Sequence, residues 1–149
     1  MKKAGNMEYT QEEYDKAINE KRDLESKQES CSSQNGNIEE AIERLEIAYS
    51  RLYEVKGEVK DIKEYIARKA DDIQNDYRGN KLDKIKDSCI DGEIDSSIKI
   101  YVNDLDSVID EINWKIQSLK EEKASNEGLL AQIGAQLEKV CTWLENCLN

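Results

Sequence analysis

Four cysteines and 33 aspartates and glutamates are the side chains of this sequence that could bind a metal, and they are also candidates for catalysis. The sequence has no histidine, which excludes Ser-His-Asp and Cys-His catalysis and zinc sites with an imidazole ligand. No Cys-x-x-Cys pair occurs, and cysteine is commonly a small core residue. The carboxylates alternate with lysines, as on the solvated face of a helix. We therefore expect a non-enzymatic protein with no catalytic residue, no metal site and no cofactor.

Length and charge narrow the class of protein further. A chain of 149 residues is expected to form one domain, over 1–149. Its formal net charge is −11, and its lysines are interleaved with acids, unlike the clustered basic surface that binds nucleic acid. The sequence contains neither an apolar run long enough for a membrane span nor an apolar stretch typical of a signal peptide.

The spacing of the apolar residues predicts an all-α fold with two long helices. Apolar residues recur in steps of three and four, averaging about 3.5 residues, which is the period of a coiled-coil seam. In the second half only Lys123 and Asn126 interrupt the seam, and no proline interrupts either half. The seam residues are Ile38, Ile42, Leu45, Tyr49, Leu52, Val55, Val59, Ile62, Ile66, Ala70, Ile73 and Tyr77, then Ile98, Val102, Leu105, Ile109, Ile112, Ile116, Leu119, Leu130, Ile133, Leu137, Val140, Leu144 and Cys147.

The start of the first helix allows two interpretations. Thr10-Gln11-Glu12-Glu13 is typical of a capping box and predicts a helix that begins near Gln11. The polar stretch 30–37, with its Asn-Gly pair, could break that helix. The alternatives are a short helix followed by a hairpin, or one continuous helix over about 11–76.

A turn at 77–80 would join helix one to helix two, which is expected over about 81–147. Gly79 could end a helix in the left-handed conformation, and Asn80 and Asp83 could cap the next helix. The result is a long antiparallel, coiled-coil-like helical hairpin. Folding back at this point sets Asn126 opposite Cys31, so the weak layers of the two seams meet, and this favours the continuous first helix.

Two further features of the second half of the sequence bear on the hairpin. Lys123 is expected near Gln34 and Asn35 if the chain folds back at Gly79. Near residues 90–96 the apolar spacing changes phase before it joins the register of Ile98. This change predicts a kink, a stutter or a local loop at that point.

Apolar residues lie beside the seams as well as in them, whereas a two-stranded seam uses only about two positions in seven. They either widen the hairpin's own seam or bind a helix of another chain, giving a three- or four-helix assembly. Because a slender hairpin has few other ways to bury two tryptophans, we interpret them as partner-binding residues. The residues of this predicted set are Tyr101, Val108, Trp114, Leu129 and Trp143.

The centre of the sequence resembles a known turn motif. Tyr77-Arg78-Gly79 is similar to the Trp-x-Gly turn of small WXG-type helical hairpins, with tyrosine in place of tryptophan. With its length, its acidic Glu/Lys heptads and its central turn, nearly the whole chain resembles the YwqH-like family. The members of this family are small helical proteins encoded beside LXG-domain toxins of bacterial type VII secretion. The sequence lacks the Tyr-x-x-x-Asp/Glu export signal after the second helix.

The resemblance implies a chaperone-like accessory protein that binds the helical N-terminal domain of an LXG-type toxin, together with a second small helical accessory. It also implies a location in the bacterial cytoplasm, with export of the complex that needs no signal peptide. The alternative is a structural coiled coil that self-associates and has no toxin client. The wide apolar stripe is compatible with both functions.

Overall fold

The computed structural model describes residues 2–4, 7–76, 79–90 and 92–149. The fold is all-α, as predicted, apart from a short β-hairpin that the sequence analysis did not predict. Strand β1 (Lys2–Ala4) pairs with strand β2 (Met7–Tyr9) in antiparallel register, with Lys3 opposite Glu8.

Helix α1 (Gln11–Asp76) is uninterrupted. Its start is capped reciprocally, because the Glu13 N–H donates to Thr10 Oγ1 at 3.2 Å and the Thr10 N–H donates to Glu13 Oε2 at 2.7 Å. The hydrogen bonds from Thr10 also lower the pKa of the Glu13 carboxyl. The predicted capping box is confirmed. The polar stretch 30–37 lies inside α1, so the continuous interpretation is the one that the structure has.

The second helical part is broken, whereas one helix over 81–147 was predicted. Helix α2 spans Asn80–Ile90 and helix α3 spans Glu93–Leu148. Gly92, between them, lies so close to α2 that an added Cβ would be 2.6 Å from the Cα of Ser88. Only glycine fits this approach without a backbone shift. The break falls within 90–96, where a kink, stutter or loop was expected.

Two of the three residues of the predicted turn motif, Tyr77 and Arg78, lie outside the described residues. Gly79 is exposed and directly precedes α2, and its carbonyl accepts the Asp83 N–H at 3.0 Å. Gly79 therefore occupies the cap position that was expected for Asn80, which is instead the first residue of α2. Gly79 does not have the left-handed backbone conformation that was expected for it, because its φ lies outside the positive range. The turn motif itself stays a prediction.

The chain contains two compact units. The terminal unit consists of Met1–Ile42 and Ser118–Asn149, and the central unit of Glu43–Gln117. Each unit contains part of α1 and part of α3. The expectation of a single domain over 1–149 stays a prediction.

The terminal unit has a well-supplied apolar core. The ring of Tyr9, the last residue of β2, meets the Trp143 ring edge-on with centroids 6.1 Å apart, and it lies 5.8 Å from the Tyr14 ring. These contacts attach the β-hairpin to both helical segments of the unit. The buried apolar residues are Tyr9, Leu24, Cys31, Ile38, Ile42, Leu119, Ile133, Leu144 and Cys147.

Candidate partner-binding surface

Exposed large apolar side chains are concentrated in the central unit. Of those among the described residues, two lie in the terminal unit, Leu129 and Leu148, and ten lie in the central unit. Contiguous exposed apolar side chains mark interaction surfaces, so the central unit is where such a surface is expected. The ten are Ile47, Tyr53, Ile62, Tyr65, Ile85, Ile94, Ile100, Tyr101, Val108 and Trp114, whereas the buried apolar residues in the described part of the unit are Ala70, Leu105, Ile109 and Ile116.

Three of the five predicted partner-binding residues belong to this exposed set. Tyr101 is 49 % exposed, Val108 44 % and Trp114 72 %. Tyr101 and Val108 are two helical turns apart on the same side of α3 and flank the buried Leu105. Trp114 lies about two and a half turns beyond Leu105 and therefore points away from it. The three residues thus extend from the edge of the core to the outer side of α3.

The other two predicted residues lie in the terminal unit. Trp143 is half-buried against Tyr9 and lines a groove of about 310 Å³ with Ala17. Leu129 is 48 % exposed and lines a second groove, which also includes Cys31. Trp143 therefore contributes to the packing of its own unit. A partner-binding role for the five residues stays a prediction.

Lysines occupy seam positions in the central unit, which the sequence analysis missed. Ile62 was assigned to the first seam, but it is 54 % exposed. Lys56 and Lys63 are half-buried. With Val59 between them, they connect Leu52 to Ile66 in alternating steps of four and three residues. The seam therefore runs through the two lysines, and the assignment of Ile62 to it is wrong. Their aliphatic stems can line a seam while the ammonium groups reach its edge.

Each of these lysines pairs with an aspartate of α3. Lys56 Nζ contacts Asp106 Oδ1, and Lys63 Nζ lies 3.3 Å from Asp95 Oδ1. The other carboxylate oxygen of Asp95 lies 2.9 Å from Lys99 Nζ. Asp95 is itself only 3 % exposed. A buried carboxylate thus has two ammonium partners, which is the arrangement that a charge requires when it leaves water.

The ion pairs fix the charge states of these groups. The hydrogen bond from Lys99, followed by that from Lys63, lowers the pKa of the Asp95 carboxyl, although burial opposes the shift. The hydrogen bond to Asp106 raises the pKa of Lys56. Both groups are therefore charged at neutral pH. A carboxylate with a lowered pKa and two cationic partners is a weak proton acceptor, so this cluster is suited to packing rather than to acid–base catalysis.

A second polar layer lies in the terminal unit. The Cys31 thiol donates to the Asn126 carbonyl at 3.5 Å, which confirms the predicted proximity of these residues. Lys123 forms an ion pair with Glu39 at 3.0 Å, and this contact is the main cause of its raised pKa. Asn35 is buried, and its Oδ1 has no hydrogen-bond partner among the described residues. A lone buried amide in a seam is a known means of fixing helix register at some cost in stability.

The described residues offer no arrangement for metal chemistry. Nowhere in 2–4, 7–76, 79–90 and 92–149 do three or more Cys, Asp or Glu side chains form a group that could hold an ion. All four cysteines are free thiols. Burial raises the pKa of the Cys147 thiol, which keeps it protonated and unreactive. None of the helices, over the part of the chain that the structure describes, is long and apolar enough to cross a membrane.

The exposed apolar residues of the central unit are therefore the best candidate for a functional site. Comparisons with protein-family models, with curated proteins and with solved structures find no match to this chain.

Proposed function

We propose that the chain is a non-enzymatic, chaperone-like binding protein that packs against the helical N-terminal targeting domain of an LXG-type toxin for type VII secretion. The observation that carries the proposal is the exposure of ten large apolar side chains in the central unit. A further helix laid on such a surface removes it from water, as in a three- or four-helix assembly. The class of partner comes from the resemblance of the sequence to the YwqH-like family.

Within each unit we infer that the segment of α1 runs antiparallel to the helical segments from the second half of the chain. The support is the order of the contacts, because residues later in α1 meet residues earlier in the second half of the chain. This reversed order is the pattern of antiparallel neighbours. In the central unit the pairs are Lys56–Asp106, Lys63–Asp95 and Asp71–Lys86, and in the terminal unit they are Tyr9–Trp143, Cys31–Asn126 and Glu39–Lys123.

The seam of the central unit contains the charged residues Lys56, Lys63 and Asp95, and this explains why a partner would stabilise that unit in particular. An ion pair in a seam contributes little net stability, because the desolvation of its charges offsets their attraction. Complete burial of one large apolar side chain contributes about 1.5–3 kcal/mol. A partner helix that covers even two exposed residues would therefore add more stability than such a pair. Binding to the folded unit alone also stabilises it by mass action.

Replacing Trp114 and Tyr101 by Ser should abolish capture of the toxin's N-terminal domain and leave helicity nearly intact. Aromatic anchors of an interface typically contribute about 2 kcal/mol or more each, which is more than tenfold in affinity. The assay is co-purification with the N-terminal region of a toxin encoded beside this chain, with circular dichroism of the free variant. Leu148→Ser is the matched control, because Leu148 is 70 % exposed but lies in the terminal unit.

The three ways in which this experiment can fail have different meanings. Unchanged capture by the Trp114→Ser/Tyr101→Ser variant would place the partner elsewhere on the protein. A loss of helicity would assign the two residues to the protein's own core. Loss of capture in the Leu148→Ser control would show that any exposed apolar residue matters equally.

Self-association into a structural coiled coil is the second candidate function, because the same exposed side chains would favour it. Mass measurement of the protein alone separates the two functions. A binding accessory should be monomeric or polydisperse alone and should become uniform with its partner. A uniform dimer or tetramer in the absence of any partner would favour the structural function.

A further inference from the structure

We propose that the helix bound by this protein is basic: an amphipathic helix whose apolar stripe is interspersed with lysine or arginine. Its docking site is the outer strip of α3 in the central unit. This inference rests on the proposed function and specifies the chemistry of the partner. The outer strip consists of Ile100, Tyr101, Asp104, Val108, Glu111 and Trp114.

The outer strip has the dimensions of a helix-binding site. Ile100 and Trp114, 62 % and 72 % exposed, are four helical turns apart on the outer side of α3. Tyr101 and Val108 form a parallel row one step closer to the buried seam. The strip is about 21 Å long at a rise of about 1.5 Å per residue. A partner helix of about four turns would cover it.

Two exposed carboxylates lie between these two apolar rows. Asp104 follows Tyr101 by three residues, and Glu111 follows Val108 by three residues, which places each on the strip next to an apolar side chain. In contrast to Asp95 and Asp106, neither forms an ion pair among the described residues. A partner that covers the strip must therefore supply cations, or it would remove two unpaired charges from water.

The charge of the outer strip also decides between a partner helix and a second copy of this chain. Lys115 supplies one cation at the end of the strip, against the two carboxylates of Asp104 and Glu111. Two copies placed strip to strip would bring four carboxylates together, and each chain has a net charge of −11. Juxtaposed like charges disfavour association, whereas a basic helix is attracted both at the strip and by the field of the whole chain.

The test is a titration of the full-length protein with two labelled peptides, followed by fluorescence anisotropy. Both peptides are helical and about 18 residues long, with the same leucine stripe, and the flanking positions are lysine in one and glutamate in the other. We expect the lysine peptide to bind at least tenfold more tightly at low salt. The preference should shrink as salt rises, because the screening length falls to about 8 Å at 0.15 M.

Neutralising the outer strip should remove most of the preference. Asp104→Asn with Glu111→Gln takes away both carboxylates and keeps their size and the apolar rows. Glu121→Gln with Glu138→Gln is the matched control, because it removes two exposed charges from α3 in the terminal unit. The control should keep the preference, apart from the small loss that any reduction in net charge causes.

Three outcomes would overturn the inference: equal binding of the two peptides, an unchanged preference in the Asp104→Asn/Glu111→Gln variant, or an equal loss in the control. A stable dimer that the parent forms at low salt and the Trp114→Ser/Tyr101→Ser variant does not form would show that a second copy occupies the strip. Failure to capture a toxin domain while the peptide preference persists would reject only the toxin as partner. Capture of a toxin domain without any peptide preference would reject only the basic helix.

Discussion

The terminal and central units use the same heptad spacing but differ in the residues that occupy the seam and in the residues that they expose. In the terminal unit most seam residues are apolar, with one polar layer at Asn35 and Lys123, and two of its large apolar side chains are exposed among the described residues. In the central unit Lys56, Lys63 and Asp95 occupy seam positions, and ten large apolar side chains of its described residues face solvent. A heptad pattern therefore predicts a helix, but it does not tell how strongly that helix is held by its own neighbours.

From this contrast we expect the terminal unit to contribute mainly stability and the central unit mainly binding surface. Apolar burial stabilises a unit in proportion to the area removed from water, so the terminal unit should supply most of the intrinsic stability of the fold. The central unit has its apolar surface available for another chain, and its ion pairs specify alignment more than they add free energy.

The largest change in stability is expected when a side chain in the core of the terminal unit is shortened. Ile133 is 5 % exposed, so Ile133→Ala removes buried methyl groups and leaves a cavity. It should lower the free energy of unfolding by about 2–5 kcal/mol. The same change at Ile100, on the same helix but 62 % exposed in the central unit, should alter it by less than about 0.5 kcal/mol. Urea denaturation followed by circular dichroism measures both. If both variants lowered the free energy of unfolding equally, Ile100 would be as deeply buried in solution as Ile133.

An intermediate effect is expected from replacing glycine by alanine at two positions of the central unit. The same replacement should lower the free energy of unfolding at Gly92 and raise it at Gly57. Gly92→Ala sets a Cβ 2.6 Å from the Ser88 Cα, between α2 and α3. It should lower the free energy of unfolding by about 1–3 kcal/mol. Gly57→Ala, inside α1 with nothing within 4 Å of the new Cβ, should stabilise the protein by about 0.5–1 kcal/mol. Thermal melts with hydrogen exchange give the sign and the location. A stabilising Gly92→Ala would show that the close approach is absent.

The smallest change in stability is expected when Asp95 loses its charge and with it the ion pairs to Lys63 and Lys99. Because the folded-state pKa of Asp95 is below the ordinary value of 3.8, its contribution to stability is complete above that pH and is lost as the pH falls through the folded-state value. Asp95→Asn should therefore lower the melting temperature by a few degrees at pH 7 and have a smaller effect at pH 2. The effect is modest because Lys63 and Lys99 stay partly solvated.

Asp104→Asn is the control for this measurement, since Asp104 is exposed and forms no ion pair among the described residues. It should leave the melting curve nearly unchanged at both pH values. If Asp95→Asn matched this control at pH 7, the ion pairs with Lys63 and Lys99 would contribute nothing measurable to the central unit.

Local signals made much of the fold predictable from the sequence. The capping box at Thr10 depends on residues three apart, and the long first helix depends on an unbroken period, so both could be found without tertiary information. The exposure of Tyr101 and Val108 also follows from their positions beside the seam. The break at Gly92 was expected from the phase change, although its close backbone approach was not.

The features that were missed depend on contacts between distant parts of the chain. Lys56 and Lys63 were passed over because an apolar pattern contains only apolar residues, and their neutralisation by Asp106 and Asp95 becomes visible only once the chain is folded. The β-hairpin was missed because its strands have three residues each. Strands that short carry no measurable alternation of apolar and polar residues. Its Tyr9 becomes informative only through its contact with Trp143.

The placement of the two tryptophans gives each unit its own optical reporter. Trp143, half-buried and edge-on to the Tyr9 ring, can accept excitation energy from tyrosine and should show a red shift in emission when the terminal unit opens. Trp114, 72 % exposed, already emits from a mostly aqueous environment and should shift to the blue only when something covers the central unit. A single emission spectrum can therefore separate unfolding from binding, because the two events move it in opposite directions.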